Sequence, residues 1–207
     1  MALDEIAGRF ERALAAIDGA NAEDPNSLVF EGRSWPKEQL HAERASHWLQ
    51  VIEPGAGELL RLAVRSHHLR RWSLPRAEYP AGRAGYHAWR RELQKRHARE
   101  AGKLLAAEGY SQDEIERVGS LIRKQGLGQD PEAQIFEDVL CLVFVETQLE
   151  RFAASHESDK VVDILARTLP KMSAEATGVA ARLASAPGLK ELLERAIARA
   201  AADSTPR

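Results

Sequence analysis

The stretch PEAQIFEDVLCLVFVETQLERF, from Pro131 to Phe152, decides the fold. It has helical periodicity but is apolar on nearly every side in its middle, which is typical of the central helix of a bundle. Asp130 before Pro131 marks a helix start, since proline is favoured in the first helical turn. We therefore expect a long central helix over residues 131–154.

Asp138 lies on one stripe of this helix with Ile135 and Leu142. A carboxylate on a buried face is unfavourable in free energy unless an ion pair or a metal ion compensates its charge. Asp138 is therefore a candidate metal ligand, with an internal ion pair to Arg71 or Lys124 as the alternative.

Apolar residues recur at helical spacing along most of the chain, and glycine, proline, asparagine and aspartate collect between the periodic segments. Strand signals are nearly absent, and Leu28–Phe30 is the only short candidate. The sequence predicts an all-α, single-domain helical bundle over residues 1–201 and a frayed tail over residues 202–207. Helices are predicted near residues 3–19, 35–52, 56–71, 83–108, 111–125, 131–154, 158–170, 174–185 and 187–201.

The 207-residue chain is 44% hydrophobic and 29% charged, which is typical of a globular protein. It has no apolar run near the roughly 20 residues that a transmembrane helix needs, so we expect no membrane partner. Its amino-terminal residues have an amphipathic pattern that differs from a signal peptide. The single cysteine, Cys141, lies in an apolar segment and indicates a cytoplasmic protein without an internal disulfide.

The net charge of −2 hides two segments of opposite sign. Residues 65–103 hold eleven Lys or Arg against three acidic residues, whereas residues 130–159 hold eight acidic residues against one Arg. The basic segment suits a small anionic partner. Nucleic acid is not favoured, because proteins that bind it normally have a larger basic excess over the whole domain.

Three histidines are expected to face the interior, because each shares a helical stripe with apolar residues: His41, His67 and His97. His68 lies at the flank of the stripe that contains His67. Each buried imidazole needs a polar partner, and a shared divalent ion of Mn, Fe, Ni, Co or Zn would satisfy several of them together with Asp138. The remaining histidines lack such a stripe and are expected at the surface: His47, His87 and His156.

The segment RRWSLPRAEYPAGRAGYHAWRR, residues 70–91, alternates arginines with aromatic residues. Its prolines and glycines predict a structured loop in the first half. Arginine matches phosphate or carboxylate oxygens with a planar fork of donors, and aromatic rings can pack against a base or a sugar. Lys124 is expected to add a catalytic cation from a facing helix. The predicted substrate-binding residues are Arg71, Trp72, Arg76, Tyr79, Arg83, Tyr86 and Arg90.

The order of the candidate ligands resembles that of the HD-domain superfamily of metal-dependent phosphohydrolases. The matching stretch is LAVRSHHLRR, Leu62–Arg71, where those proteins carry an apolar run that ends in His-Asp. His41 takes the place of the first histidine, and Asp138 takes that of the last aspartate. His68 stands where the superfamily has an aspartate that often bridges two metal ions, so the resemblance implies one metal ion or none.

A closer resemblance, over roughly residues 6–198, is to a family of unknown function, DUF4202. It implies that His68, His97 and Asp138 belong to the functional site, but it brings no activity with it. The stretches that carry it are HLRRWSLPRAEYPAGRAGYHAWR (His68–Arg90), His97, LIRK (Leu121–Lys124) and DPEAQIFEDVLCLVFVE (Asp130–Glu146).

The superfamily resemblance implies an HD-domain-like fold and a metal-dependent phosphohydrolase of a small phosphorylated substrate, for example a nucleotide. A bound metal ion would activate water and polarise a phosphoryl oxygen. His97 is the candidate general acid if it is not itself a ligand. The expected metal ligands are His41, His67, His68 and Asp138.

Three other functions stay open at this point. An HD-type iron-dependent oxygenase would use the same scaffold with iron. A non-catalytic nucleotide- or RNA-binding module would use the arginine and aromatic residues of the 70–90 loop. A structural protein would use Asp138 only for an internal ion pair.

Overall fold

The computed structural model describes residues 3–184 and 186–203, and these residues are mainly helical. The predicted all-α class is confirmed, since the only sheet in the described part has two strands. Within these residues, no helix combines the length and the apolar character needed to cross a membrane. The chain divides into two compact units, with the boundary between Phe136 and Glu137. The single-domain and HD-domain-like architecture stays a prediction.

Helices and one hairpin make up the described part of the first unit. The elements are α1 (Leu3–Ala22), β1 (Ser27–Phe30), β2 (Arg33–Pro36), α2 (Lys37–Ile52), α3 (Glu58–Arg65), α4 (Gly82–Ala107), α5 (Gln112–Ile122) and the first residues of α6 (Pro131–Thr147). Its core includes the fully buried side chains of Ile17, Leu40, Leu62, Leu93 and Leu121.

The hairpin is predicted only in part, since the sequence signals the strand at Leu28 but not its partner. The strands pair antiparallel, with Leu28 opposite Trp35. Glu31 and Gly32 connect them with positive φ angles of 51° and 75°, the combination that suits the tight turn of a hairpin. The second strand leads directly into α2, which carries His41.

Helix α3 ends at Arg65, although the sequence predicts a helix that continues to residue 71. The chain turns after it, with Arg70 in the left-handed region at φ 51°, a conformation that does not extend a right-handed helix. His67 and His68 therefore lie in a turn after the helix and not on its face. Short 3₁₀ helices follow at Arg71–Ser73 and Arg76–Glu78.

The buried side chain of Arg65 ties α1, α2 and α3 together. Its guanidinium donates to the two carboxylate oxygens of Asp18 at 2.5 and 2.8 Å, and also to Glu43. Burial alone would lower the pKa of Arg65, but the hydrogen bonds to Asp18 and Glu43 raise it above its ordinary value. The guanidinium is buried while its carboxylate partners are half-exposed, and these contacts connect the end of α3 to α1 and α2.

The predicted structured loop before α4 is held by three local contacts. Trp89 on α4 donates its Nε1–H to the Leu74 carbonyl at 2.9 Å. The Arg76 guanidinium donates to loop carbonyls, including that of Pro80 at 2.8 Å. A Cβ at Gly85 would lie 1.9 Å from the Pro80 oxygen, so only glycine fits where the loop crosses α4.

The second unit differs from the prediction at Gln148 and at the end of the last helix. The sequence predicts a continuous helix over residues 131–154, but Gln148 interrupts it with φ −130° and ψ −27°. The last helix extends to Asp203, and residues 204–207 of the predicted frayed tail lie outside the described residues. After the end of α6 the elements are α7 (Leu149–Ala154), α8 (Ser158–Thr168), a 3₁₀ helix (Leu169–Lys171), α9 (Ala174–Leu183) and α10 (Pro187–Asp203).

Candidate functional site

Four histidines from three segments of the first unit meet in its interior. His41 comes from α2, His67 and His68 from the turn after α3, and His97 from α4. The predicted inward placement is confirmed, because His41, His67 and His97 are 1%, 4% and 2% exposed. The ring centroids of His67 and His68 are 4.2 Å apart, and His68 is 5.9 Å from both His41 and His97. We call these four residues the imidazole cluster.

Glu38 is the residue of this site that the sequence analysis missed. Its Oε2 lies 3.0 Å from Nδ1 of both His41 and His68, and its side chain is 2% exposed. Burial opposes the charge of this carboxylate, but His68 and His41 hold the pKa of Glu38 well below its usual range. An acidic residue three positions before His41 was the available signal, since both fall on one helix face.

The Nδ1 atoms of the other two histidines face backbone carbonyls. Nδ1 of His67 lies 2.8 Å from the Val64 oxygen, and Nδ1 of His97 lies 2.8 Å from the Leu69 oxygen. Carbonyl oxygens only accept, so each Nδ1 carries the proton and each Nε2 carries a lone pair. Histidines that bind metals are normally oriented in this way by their second nitrogen.

Two Nε2 atoms of the cluster lack the partner that buried polar atoms normally have. Nε2 of His41 and Nε2 of His97 are buried, and neither has a hydrogen-bond partner in the part of the chain that the structure describes. Glu38, His41 and His68 also offer ligand atoms within 4.8 Å of one another. The donor set therefore suits a metal ion.

Burial keeps three of the imidazoles neutral. Desolvation lowers the pKa of His67 to about 3 and that of His97 to about 4, against an ordinary value near 6.5. It also lowers the pKa of His68 well below the ordinary value. Neutral imidazole is the form that binds metal ions, so His67, His68 and His97 are in this form at neutral pH.

Arg71 places a cation beside the cluster. Its NH1 lies 3.4 Å from Nε2 of His68, and its guanidinium lies 4.8 Å from the ring of Trp89. Its distance to Glu38 is 4.0 Å, at the limit of an ion pair. Burial lowers the pKa of Arg71, and such a poorly compensated guanidinium favours an anionic ligand.

The other predicted substrate-binding residues differ in position. Arg90 is half-buried, and its charge acts on both Arg71 and His97. The Arg76 guanidinium is occupied by the carbonyls of its own loop. Exposed Arg83 contacts His87 instead of the cluster. Of the aromatic residues, Tyr86 is 45% exposed, and Trp72 and Tyr79 are half-buried.

Two predicted site residues belong to other parts of the chain. Asp138 lies in the second unit, is 4% exposed, and accepts the backbone N–H of Ser173 at 2.8 Å. Lys124 follows α5 and is half-buried, with φ 58°. Metal ligation by Asp138 and catalysis by Lys124 stay predictions. Of the histidines expected at the surface, His47 and His87 are exposed, and His156 is half-buried against Phe152.

Lowering the pH should destabilise the protein through the buried imidazoles. The folded-state pKa of His97 is about 4, and that of an unfolded chain is about 6.5, so the unfolded state binds the proton more tightly. The contribution of neutral His97 to the free energy of unfolding is complete above about pH 6.5 and is lost as the pH falls toward 4. Between pH 7 and 5 we expect a loss of about 1–2 kcal/mol for His97.

Urea unfolding at pH 7 and pH 5 measures this loss. His97→Phe should reduce the difference in the free energy of unfolding between pH 7 and pH 5. His47→Gln, at an exposed position, should leave this difference unchanged. An unaltered pH dependence in His97→Phe would contradict a neutral, buried His97.

A family model described as a domain of unknown function (DUF4202) matches residues 11–193. No curated protein matches the chain, and no solved structure matches it. The matched range covers the imidazole cluster, the 70–90 loop and α6. The HD-domain relationship stays a resemblance in the order of a few residues. The chain belongs to the DUF4202 family.

Proposed function

We propose that the imidazole cluster binds one divalent metal ion and that the protein hydrolyses a small phosphorylated molecule, for example a nucleotide. The observation that carries this proposal is the pair of buried, unpartnered Nε2 atoms on His41 and His97. A bound metal ion would satisfy both atoms, and a buried polar atom without a partner is costly in free energy.

Among the described residues, Glu38, His41 and His68 bring three ligand atoms within 4.8 Å of one another, and we propose His97 as a further ligand through its unpartnered Nε2. Glu38 orients His41, and backbone carbonyls orient His67 and His97. Imidazole nitrogen suits Mn, Fe, Co, Ni or Zn. A bound divalent ion would supply Lewis acidity and a water of lowered pKa.

The donor pattern of His97 favours a ligand over a general acid. Its only N–H points at the Leu69 carbonyl, and its other nitrogen carries a lone pair. His68 differs from the other three residues, since Glu38 and Arg71 already engage its two nitrogens. In this proposal His68 links the cluster to the anion-binding guanidinium.

Arg71 is the proposed contact to the phosphoryl group. Its guanidinium is largely shielded from water, and its nearest carboxylate, Glu38, lies 4.0 Å away and already accepts from two histidines, so a bound anion would add to the compensation of its charge. Donors that act in such a shielded site stabilise developing negative charge strongly. Arg90 adds a second positive charge nearby.

Two other functions use the same residues, and they are distinguished from hydrolysis by the metal that is bound and by the contacts of the 70–90 loop. An iron-dependent oxygenase would need the same imidazoles, so the element bound by the purified protein distinguishes it from a hydrolase. A nucleotide- or RNA-binding module at the 70–90 loop is less favoured, because Arg76 is used to hold that loop together.

Metal content tests the site itself. Elemental mass spectrometry of protein purified without an affinity tag should find about one metal ion per chain. His41→Ala and His97→Ala should lose it, and His47→Ala, an exposed histidine on the same helix as His41, should keep it. A wild-type protein that is free of metal and cannot be reloaded would contradict the proposal.

Phosphate release from a panel of nucleotides, with Mn, Co or Ni added, tests the reaction. Arg71→Ala should lower kcat/KM by about 10²–10³, in line with loss of one donor to a developing charge, while metal content stays unchanged. Arg83→Ala is the matched control and should retain activity, since Arg83 is exposed. A metal-loaded protein without turnover on any phosphorylated substrate would contradict hydrolysis.

A further inference from the structure

A concave surface lies between α4 and α5, and none of its lining residues belongs to the imidazole cluster. It has a volume of about 440 Å³ and is open to solvent. Lys95, Arg99 and Lys103 form one wall, and Arg123, paired with Glu116, lies on the other side. We call it the basic groove.

Small residues on the two helices create the floor of the basic groove. A Cβ at Gly102 would lie 3.0 Å from the Ile115 side chain, and one at Gly119 would lie 3.7 Å from the Ala98 Cβ. The helices therefore pack closely, and the long basic side chains stand at the rim. The lining contains no aromatic ring.

Four basic residues of α4 form a row along the helix. Arg91, Lys95, Arg99 and Lys103 are spaced four residues apart and are all exposed. Residues at this spacing share one helix face, and a rise of 1.5 Å per residue places Lys95 and Lys103 about 12 Å apart along the axis. The row therefore presents cations at intervals of about 6 Å.

Few acidic groups compensate this row. Arg91 and Lys95 have no ion pair within the described residues. Glu100 is shared, at 2.8 Å from Lys103 and 3.8 Å from Arg99. Exposed ion pairs contribute only about 0–1 kcal/mol each, so a phosphate can replace Glu100 at little cost.

We propose that the basic groove binds the phosphate backbone of a nucleic-acid strand. One strand carries a phosphate about every 3.4 Å along the axis of a duplex, so the distance of about 12 Å from Lys95 to Lys103 spans three to four phosphates. The contacts are to the backbone, because the lining offers no ring for a base to pack against. Binding is therefore insensitive to sequence. This proposal is independent of the proposed hydrolase.

Fluorescence anisotropy with labelled 12-nucleotide oligo(dT) and oligo(U) tests this proposal. Both should bind, and log K should fall with log[salt] with a slope of about −3, as expected for four contacts to a single strand. A labelled acidic peptide of equal charge should bind more weakly. Tighter binding of the peptide would overturn the proposal in favour of a protein partner.

The double variant Lys95→Glu/Arg99→Glu should weaken oligonucleotide binding by on the order of tenfold or more. Lys160→Glu/Lys190→Glu changes the net charge equally at exposed positions of the second unit, and it should bind as the wild type does. Lys95→Gln/Arg99→Gln should give an intermediate loss, and circular dichroism shows whether each variant is folded.

His97→Ala should lose metal but retain oligonucleotide binding. This variant therefore distinguishes a wrong proposal for the basic groove from a wrong proposal for the metal site. The proposal is overturned if the wild type does not bind at 50 mM salt, or if the two charge-reversal variants lose affinity equally.

Discussion

The carboxylate of Glu38 is the group on which the candidate site depends. One oxygen accepts from His41 on its own helix and from His68 in the turn after α3, at 3.0 Å in each case. It thereby sets the ring orientation of both residues and leaves Nε2 of His41 without a partner. The contact thus joins a histidine of the turn after α3 to a buried glutamate of α2.

Helix α4 connects the two functional surfaces that we propose. Its buried face carries His97, together with Trp89, whose ring lies beside Arg71. Its exposed face carries the basic row that starts at Arg91 and ends at Lys103. The basic segment of the sequence therefore contributes to both surfaces. Arg71 lies beside the buried cluster, and the basic row on α4 faces solvent.

Helical periodicity was sufficient to predict most helices and the burial of His41 and His97, because a period of 3.6 residues records which positions face the interior. His67 is buried as well, but in the turn after α3 and not on a helix face. It did not reveal the end of α3, since the left-handed Arg70 carries no glycine signal. Glu38 was missed because its burial depends on His68, thirty residues later in the chain. The role of Arg76 in its own loop likewise depends on a turn whose closure only the structure shows.

The central claim is that Glu38 prepares the imidazole cluster for a metal ion. Its most direct test is the affinity for Co²⁺ of the wild type and of Glu38→Gln, followed by visible absorption during titration. Loss of a carboxylate that orients a histidine ligand typically weakens metal binding about 10–100-fold, and we predict a loss in this range. Equal affinity in the two proteins would show that the cluster does not depend on Glu38 and would contradict the account.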